Sequence, residues 1–294
     1  MSEVLSVGLV GAGPWAGSVH APMLAAGPET RLAGVWSRTT SSAQELADAH
    51  SVPAFGSFDE LLDTCDAVAI AVSPDVQPDL AVRAAQAGKA LMLEKPLALD
   101  VDGAQRIADA VGEANVGSVM VLTYRYAPKV RRFLEDASTF GATGGRACFL
   151  SGAFLGGPFA GSGWRMEHGA LLDVGPHILD LVDAALGPIV GMRGHGDAQG
   201  WIGLLADHES GAVSEISISC TAAIMPSRTE VEIYSREGSL AVDGRADSRD
   251  VIFANLRADF AAVARSGGPH SCDAARGLHL QQVLARAQRA LAGR

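Results

Sequence analysis

The chain of 294 residues predicts an α/β fold: an amino-terminal doubly wound parallel sheet followed by an α+β domain with a largely antiparallel sheet. Three observations predict it. Short apolar runs alternate with amphipathic stretches from residue 4 to about 122, a glycine-rich turn closes the first run, and period-two alternation takes over after Leu122.

The strands expected in the first part are Val4 to Val10, Arg31 to Trp36, Ala67 to Val72, Ala90 to Leu93 and Ser118 to Leu122. Their runs are apolar throughout rather than alternating, as in a parallel sheet covered on both faces. Gln44 to Ala47, Leu80 to Ala87 and Gly103 to Val111 read as the covering helices. In the second part, Val213 to Ile218 and Glu230 to Tyr234 alternate polar and apolar residues without an intervening helix. One helix is expected over Leu171 to Leu186, and a tail helix over Asp273 to Leu291. The domain map is therefore 1–122 and 123–294, with the tail helix 273–291 able to pack back on the first domain. The Gly-rich loop Gly152 to Gly163 reads as a lid.

Composition narrows the function classes. The formal net charge is -10, with no Lys/Arg run, which argues against nucleic acid or an anionic membrane as partner and favours a small molecule. No stretch approaches the roughly 20 apolar residues of a membrane span. The start Met1-Ser2-Glu3 lacks a basic leader region, so a cytoplasmic location is expected. Cys65, Cys148, Cys220 and Cys272 are widely spaced and read as reduced thiols, and no His/Cys group has zinc-ligand spacing, so no metal is expected.

Gly11-Ala12-Gly13-Pro14-Trp15-Ala16 follows the first strand and opens a helix, the context that a GxGxx(G/A) dinucleotide fingerprint requires. Gly11 permits the tight turn, Gly13 lets backbone approach a diphosphate, and Ala16 permits close packing of helix on strand. Pro14 suits a first helical turn, whose free N–H groups attract the anion. The end of the second strand normally carries an acid that holds a ribose 2′-hydroxyl. Here it reads Trp36-Ser37-Arg38-Thr39-Thr40. Arg38 can grip a 2′-phosphate through two charge-assisted bonds, with Ser37 and Thr39 adding hydroxyls, so NADP (NADPH) is favoured over NAD. The bland alternative is a solvated turn.

Glu94-Lys95-Pro96 follows the strand Ala90 to Leu93, and ligands of open parallel sheets gather outside the carboxyl ends of strands. Lys95 can stabilise an alkoxide, and Glu94 can tether the lysine or a ribose; taken alone, Lys-Pro after a strand is more often a charged turn. Asp173 and His177 lie one turn apart if a helix begins near Asp173. His177 can then exchange a proton with a substrate hydroxyl, while Asp173 orients it or binds substrate. The competing reading makes Asp173 a helix cap and His177 a packed side chain.

These segments, in this order, resemble the glucose-fructose oxidoreductase / inositol dehydrogenase (Gfo/Idh/MocA) family. The resemblance rests on Gly11-Ala12-Gly13 with His20 downstream, Glu94-Lys95-Pro96, Tyr124-Arg125-Tyr126 with Pro128, Trp164-Arg165, and Gly169 to Asp180. Departures are His168-Gly169-Ala170 where three glycines are usual, Ser73-Pro74-Asp75 for Thr-Pro-Asn near the nicotinamide ribose, and Pro78 where histidine is common. The resemblance implies a Rossmann domain, an open sheet used for oligomerisation, and a homodimer or higher homo-oligomer. It implies hydride transfer between a nicotinamide nucleotide and a carbinol or carbonyl carbon of a sugar, polyol or related molecule. By carry-over Lys95, Asp173 and His177 are the catalytic set. Ser73, Pro74 and Glu94 join the nucleotide-binding residues, and Tyr124, Arg125, Trp164 and Arg165 shape the substrate pocket with Lys95. Two alternatives remain open: a redox-neutral glycoside hydrolase or lyase that uses bound nucleotide, and a noncatalytic NADP-binding regulator.

Overall fold

In the computed structural model, which describes residues 4–156 and 163–293, the chain divides into two compact units. The first comprises Met1–Val121 and Phe253–Leu278, the second Leu122–Ile252 and His279–Arg294. The first unit is thus more than an amino-terminal segment, because Phe253–Leu278 groups with it.

The first unit is built on five parallel strands, β1 (Leu5–Val10), β2 (Thr30–Trp36), β3 (Ala67–Ile70), β4 (Ala90–Leu93) and β5 (Ser118–Met120). Their order is β2-β1-β3-β4-β5. Every residue of β1, β3, β4 and β5 is buried, which is why their sequences are apolar without alternation. The chain leaves β1 toward β2 on one side and returns to β3 on the other, so the carboxyl ends of β1 and β3 flank the point where strand order reverses. Ligands of doubly wound sheets bind in that crevice.

The connecting helices are α1 (Ala21–Ala25), α2 (Thr40–Ala49), α3 (Phe58–Asp63), α4 (Gln77–Gln86) and α5 (Val101–Ala114). The Ser57 hydroxyl caps α3 by accepting the Glu60 N–H, and the Asp100 carboxylate caps α5 by accepting the Gly103 N–H. The strands match the expected ones to within two residues at each end. The expected helices begin two to four residues earlier than their apolar periodicity alone suggested; at α5 the polar first turn is held by the Asp100 cap.

The second unit holds α6 (Pro128–Phe140), β6 (Gly144–Leu150), α7 (Gly163–Asp173), α8 (Gly175–Leu186) and five further strands. These are β7 (Ile189–Gly196), β8 (Ile202–His208), β9 (Val213–Ser219), β10 (Arg228–Ser235) and β11 (Gly238–Asp243). The sheet order is β11-β10-β6-β9-β8-β7, antiparallel except for the β6–β9 pair. One face is apolar and buried, with Ala147, Phe149, Ile216, Ile218, Val231 and Ile233 on it. Helix α8, buried along nearly its whole length, packs on β6, β9 and β10. The opposite face carries Arg146, Glu215, Glu230 and Glu232 and is largely exposed. Two last helices follow, α9 (Arg249–Ser266) and α10 (Ala274–Leu291). Helices α6 and α9 were not anticipated from the sequence.

The expected helix Leu171 to Leu186 is corrected to two. Gly169 breaks the first with φ 72° and ψ -169°, and Val174 separates α7 from α8. Pro176 supplies the second break: it has no N–H, and its ring would meet the carbonyl four residues back, so a new helix must start beside it. Asp173 and His177 therefore do not share one continuous helix. Nor is Asp173 the cap, since Val174 holds that position without a side-chain bond. In the loop read as a lid, residues 157–162 lie outside the described residues.

At Gly169 the positive φ brings the backbone against the loop after β7, where the Ala170 N–H donates to the Ala198 carbonyl at 2.9 Å. A Cβ at Gly169 would stand 2.3 Å from that carbonyl oxygen. Gly169→Ala is expected to lower unfolding free energy by about 1–3 kcal/mol, the usual cost of a strained backbone position. Urea denaturation measures it, and an unchanged midpoint would contradict the constraint.

Candidate active site

Four expected nucleotide-binding segments follow four adjacent strands of the first unit. Gly11 to Ala16 follow β1, Ser37 to Thr39 follow β2, Ser73-Pro74 follow β3 and Glu94-Lys95 follow β4. Parallel pairing in register brings their starting points to one edge of the sheet. Gly11 has φ 108°, and a Cβ there would stand 2.3 Å from the Ala71 carbonyl oxygen. Only glycine fits. A Cβ on Gly13 would meet nothing within 4 Å, so the backbone there faces open space that a diphosphate can approach. Arg38 and Thr39 are exposed and Ser37 half-buried at the end of β2. This donor set fits a nicotinamide dinucleotide. Trp36 packs on Phe58 with ring centroids 5.2 Å apart.

The glycine-rich turn runs into a wide helical turn, Ala16–His20, in which the Ala21 N–H reaches back to the Ala16 carbonyl. Such widened turns are rare and recur at functional sites. His20 is wholly buried, and its Nε2 lies 2.7 Å from Glu94 Oε1. Trp15 Nε1 donates to the same oxygen at 2.7 Å, and the Lys95 N–H donates to Glu94 Oε2 at 3.2 Å. Burial pushes the Glu94 carboxyl up, but the His20 and Trp15 hydrogen bonds and the adjacent Lys95 charge outweigh it, so its pKa lies below the ordinary value. Burying a carboxylate costs several kcal/mol, and charge-assisted bonds of about 1.5–3 kcal/mol each offset it.

His20 must carry its proton on Nε2 to donate to that carboxylate. Its Nδ1 has no hydrogen-bond partner among the described residues.

Gln77 clamps the same loop from the other side. Its Oε1 accepts the Glu94 N–H at 2.9 Å, and its Nε2 donates to the carbonyls of Glu94 and Leu97 at 2.8 and 2.9 Å. The Lys95-Pro96 peptide held between them is cis. Sequence reasoning missed Gln77. A fully buried glutamine at a helix start pairs with residues 17 to 20 positions away, and no local pattern encodes that.

In the second unit, Tyr124 and Arg125 lie in a short turn, Thr123–Tyr126, before α6. The Tyr124 ring meets His177 edge-on at 5.3 Å, and Phe149 of β6 stacks on the same imidazole at 6.3 Å. The Thr229 hydroxyl donates to the Tyr124 hydroxyl at 3.1 Å. Burial raises the Tyr124 pKa against that bond, which keeps the phenol neutral near neutral pH. Phe149 was not singled out from sequence, where it is one apolar residue of an alternating strand.

Arg125 Nη1 donates to both oxygens of buried Asp180, at 3.1 and 3.3 Å. Arg165 Nε donates to Asp173 Oδ1 at 3.0 Å, and its guanidinium lies over the Trp164 ring at 4.5 Å. Both arginines that were expected at the substrate thus hold a carboxylate of the Gly169 to Asp180 segment. Tyr124, Arg125, Trp164, Arg165, Asp173 and His177 all belong to the second unit, and Lys95 to the first.

Comparison with known proteins agrees with this architecture. The model of an oxidoreductase family with an NAD-binding Rossmann fold, GFO_IDH_MocA, matches residues 5–123. The dTDP-3,4-didehydro-2,6-dideoxy-alpha-D-glucose 3-reductase of Streptomyces violaceoruber is 29% identical over 259 residues, which cover 82% of this chain and 73% of that protein. The levoglucosan dehydrogenase of Pseudarthrobacter phenanthrenivorans is 25% identical over 235 residues, 65% of this chain and 59% of that protein. Among solved structures, GenD2 from gentamicin A biosynthesis, in complex with NAD, superposes with a TM-score of 0.87 at 24% identity, covering 100% of this chain and 96% of that one. At that identity the superposition shows the fold. Together with the sheet order and the glycine-rich turn, the match over residues 5–123 shows that this part of the chain is similar to the NAD-binding Rossmann fold of the Gfo/Idh/MocA oxidoreductases.

Proposed function

We propose that the protein is an NADP(H)-dependent dehydrogenase or reductase that interconverts a carbinol and a carbonyl on a sugar, polyol or related small molecule. The observation that carries this reading is the alignment of the glycine-rich turn, Ser37-Arg38, Ser73-Pro74 and Lys95 along one edge of the parallel sheet. The sugar-directed names of the two relatives support the substrate class.

The nicotinamide nucleotide supplies or accepts the hydride when bound. Gly11, Gly13, Pro14, Trp15 and Ala16 hold the diphosphate side, and Ser37, Arg38 and Thr39 select the 2′-phosphate. Ser73, Pro74 and Glu94 flank the nicotinamide ribose. Lys95 binds the reacting oxygen and stabilises the negative charge that grows on it. His177 takes the hydroxyl proton in oxidation and returns it in reduction, with Asp173 orienting the imidazole. Tyr124 and Phe149 restrict the ring of His177, and Arg165 fixes Asp173. Assembly as a homodimer or higher homo-oligomer follows from the family resemblance, and a cytoplasmic location fits the sequence composition. No helix among the described residues is long and apolar enough to cross a membrane.

Arg38→Ala is expected to weaken NADPH binding by about 10- to 100-fold, the equivalent of one charge-assisted pair of roughly 1.5–3 kcal/mol, while NADH binding stays level. Calorimetric titration of both nucleotides measures it, and equal affinity of the unsubstituted protein for the two would refute the NADP preference. Lys95→Met is expected to lower kcat by about 100- to 1000-fold, typical for loss of an oxyanion-stabilising group, with little change in nucleotide affinity. Turnover is followed by near-ultraviolet absorbance of the free nucleotide over a sugar and polyol panel. Product without a matching absorbance change would favour the redox-neutral reaction instead.

A further inference from the structure

Lys95 must be held still if it is to meet a developing alkoxide, yet it sits on an irregular segment beyond the end of a strand. Two buried side chains hold that segment. Gln77 grips its backbone from α4, and Glu94 accepts the Lys95 N–H on Oε2. The Glu94 carboxylate is itself fixed through its other oxygen, where Trp15 Nε1 and His20 Nε2 converge at 2.7 Å each. Those two residues come from the segment that begins as the glycine-rich turn, 79 and 74 positions away along the chain.

We infer that His20 is a positioning residue. Together with Trp15 it locks the Glu94 carboxylate, so that the glycine-rich turn and the Lys95 segment behave as one rigid piece. The inference rests on the dehydrogenase reading for its catalytic consequence, but its structural content stands apart from that reading. His20 has no exposed surface and cannot itself touch a substrate or nucleotide. Its effect must pass through Glu94. The bond that matters is the single one from Nε2, because Nδ1 has no partner among the described residues. A glutamine side chain places its amide nitrogen where the histidine Nε2 lies and can make the same bond. Leucine fills a similar volume and cannot. Fixing the Lys95 backbone to the nucleotide-binding turn in this way sets the point from which its side chain reaches substrate oxygen, and a displacement near 1 Å at a reacting group can cost about 100-fold in rate.

The test compares His20→Leu with His20→Gln, with Trp15→Phe as a second route to the same carboxylate should the leucine variant fold poorly. Amide hydrogen exchange at Lys95, resolved by NMR, reads the lock directly and requires no activity. His20→Leu is expected to speed that exchange by about tenfold or more while the amides of β1 and β3 keep their protection, and His20→Gln to restore it. Trp15→Phe should speed it in the same direction. The kinetic counterpart is a drop in kcat of about tenfold or more for His20→Leu, absent when Lys95 is already methionine, since a residue acting through Lys95 has nothing further to lose. Exchange at Lys95 that is unchanged in both the leucine and phenylalanine variants would overturn the inference. So would a His20→Leu effect on kcat that persists in full beside Lys95→Met. Faster exchange in a protein that transfers no hydride to any tested substrate would instead refute the dehydrogenase reading and leave the lock standing.

Discussion

The Glu94 carboxylate, buried at the end of β4, is the constraint on which the first unit's chemistry depends. A charge there is tolerable only with several donors aimed at it, and they come from three directions: the Trp15 indole, the His20 ring and the Lys95 backbone. Satisfying one carboxylate therefore dictates where the glycine-rich turn, the widened helical turn and the lysine segment must lie relative to each other. The lowered pKa of Glu94 is the same fact in another form, because donors that favour the anion outweigh the burial that opposes it. Gln77 extends the arrangement by meeting the backbone polar groups that the irregular segment would otherwise leave unsatisfied in the interior.

The second unit solves a related problem with arginines. Asp173 and Asp180 flank the break at Gly175-Pro176, and both are nearly inaccessible to solvent. Arg165 and Arg125 meet them, each with its own side chain largely buried, so losing either arginine would take a charge-assisted partner from a buried carboxylate. That cost is about 3–5 kcal/mol for a truly buried pair, well above the 0.2–1 kcal/mol of an exposed one such as Arg132–Asp136. The segment's acids thus anchor two arginines as much as the arginines could anchor a ligand. His177 is confined differently, between the edge of Tyr124 and the face of Phe149. Packing on the sheet confines its ring, and the Thr229 bond fixes Tyr124 in turn.

What could be read from the sequence follows from the range over which each signal acts. The parallel sheet was legible because burial on both faces writes itself into four to seven consecutive residues, and Gly11 because a turn with φ 108° leaves no alternative residue. Lys95 was legible from its position after β4. The break between α7 and α8 was also present locally, in Gly175-Pro176, but the apolar periodicity of Leu171 to Leu186 masked it: Pro at a first helical turn is read as readily as the start of a helix as its interruption. Helix α6 is hidden in a similar way, since Pro128 at its start reads equally as part of the preceding turn. The pairs His20–Glu94, Gln77–Leu97 and Arg125–Asp180 join residues 74, 20 and 55 positions apart, and nothing local distinguishes His20 from any other histidine on an apolar helix face. A buried polar side chain is always paired by something, so the sequence can mark that His20 and Gln77 need partners only once the fold has shown that they are buried. For Arg125 and Arg165 a charge near a motif suggests a ligand, whereas burial of Asp173 and Asp180 calls for a cation from within the chain as well.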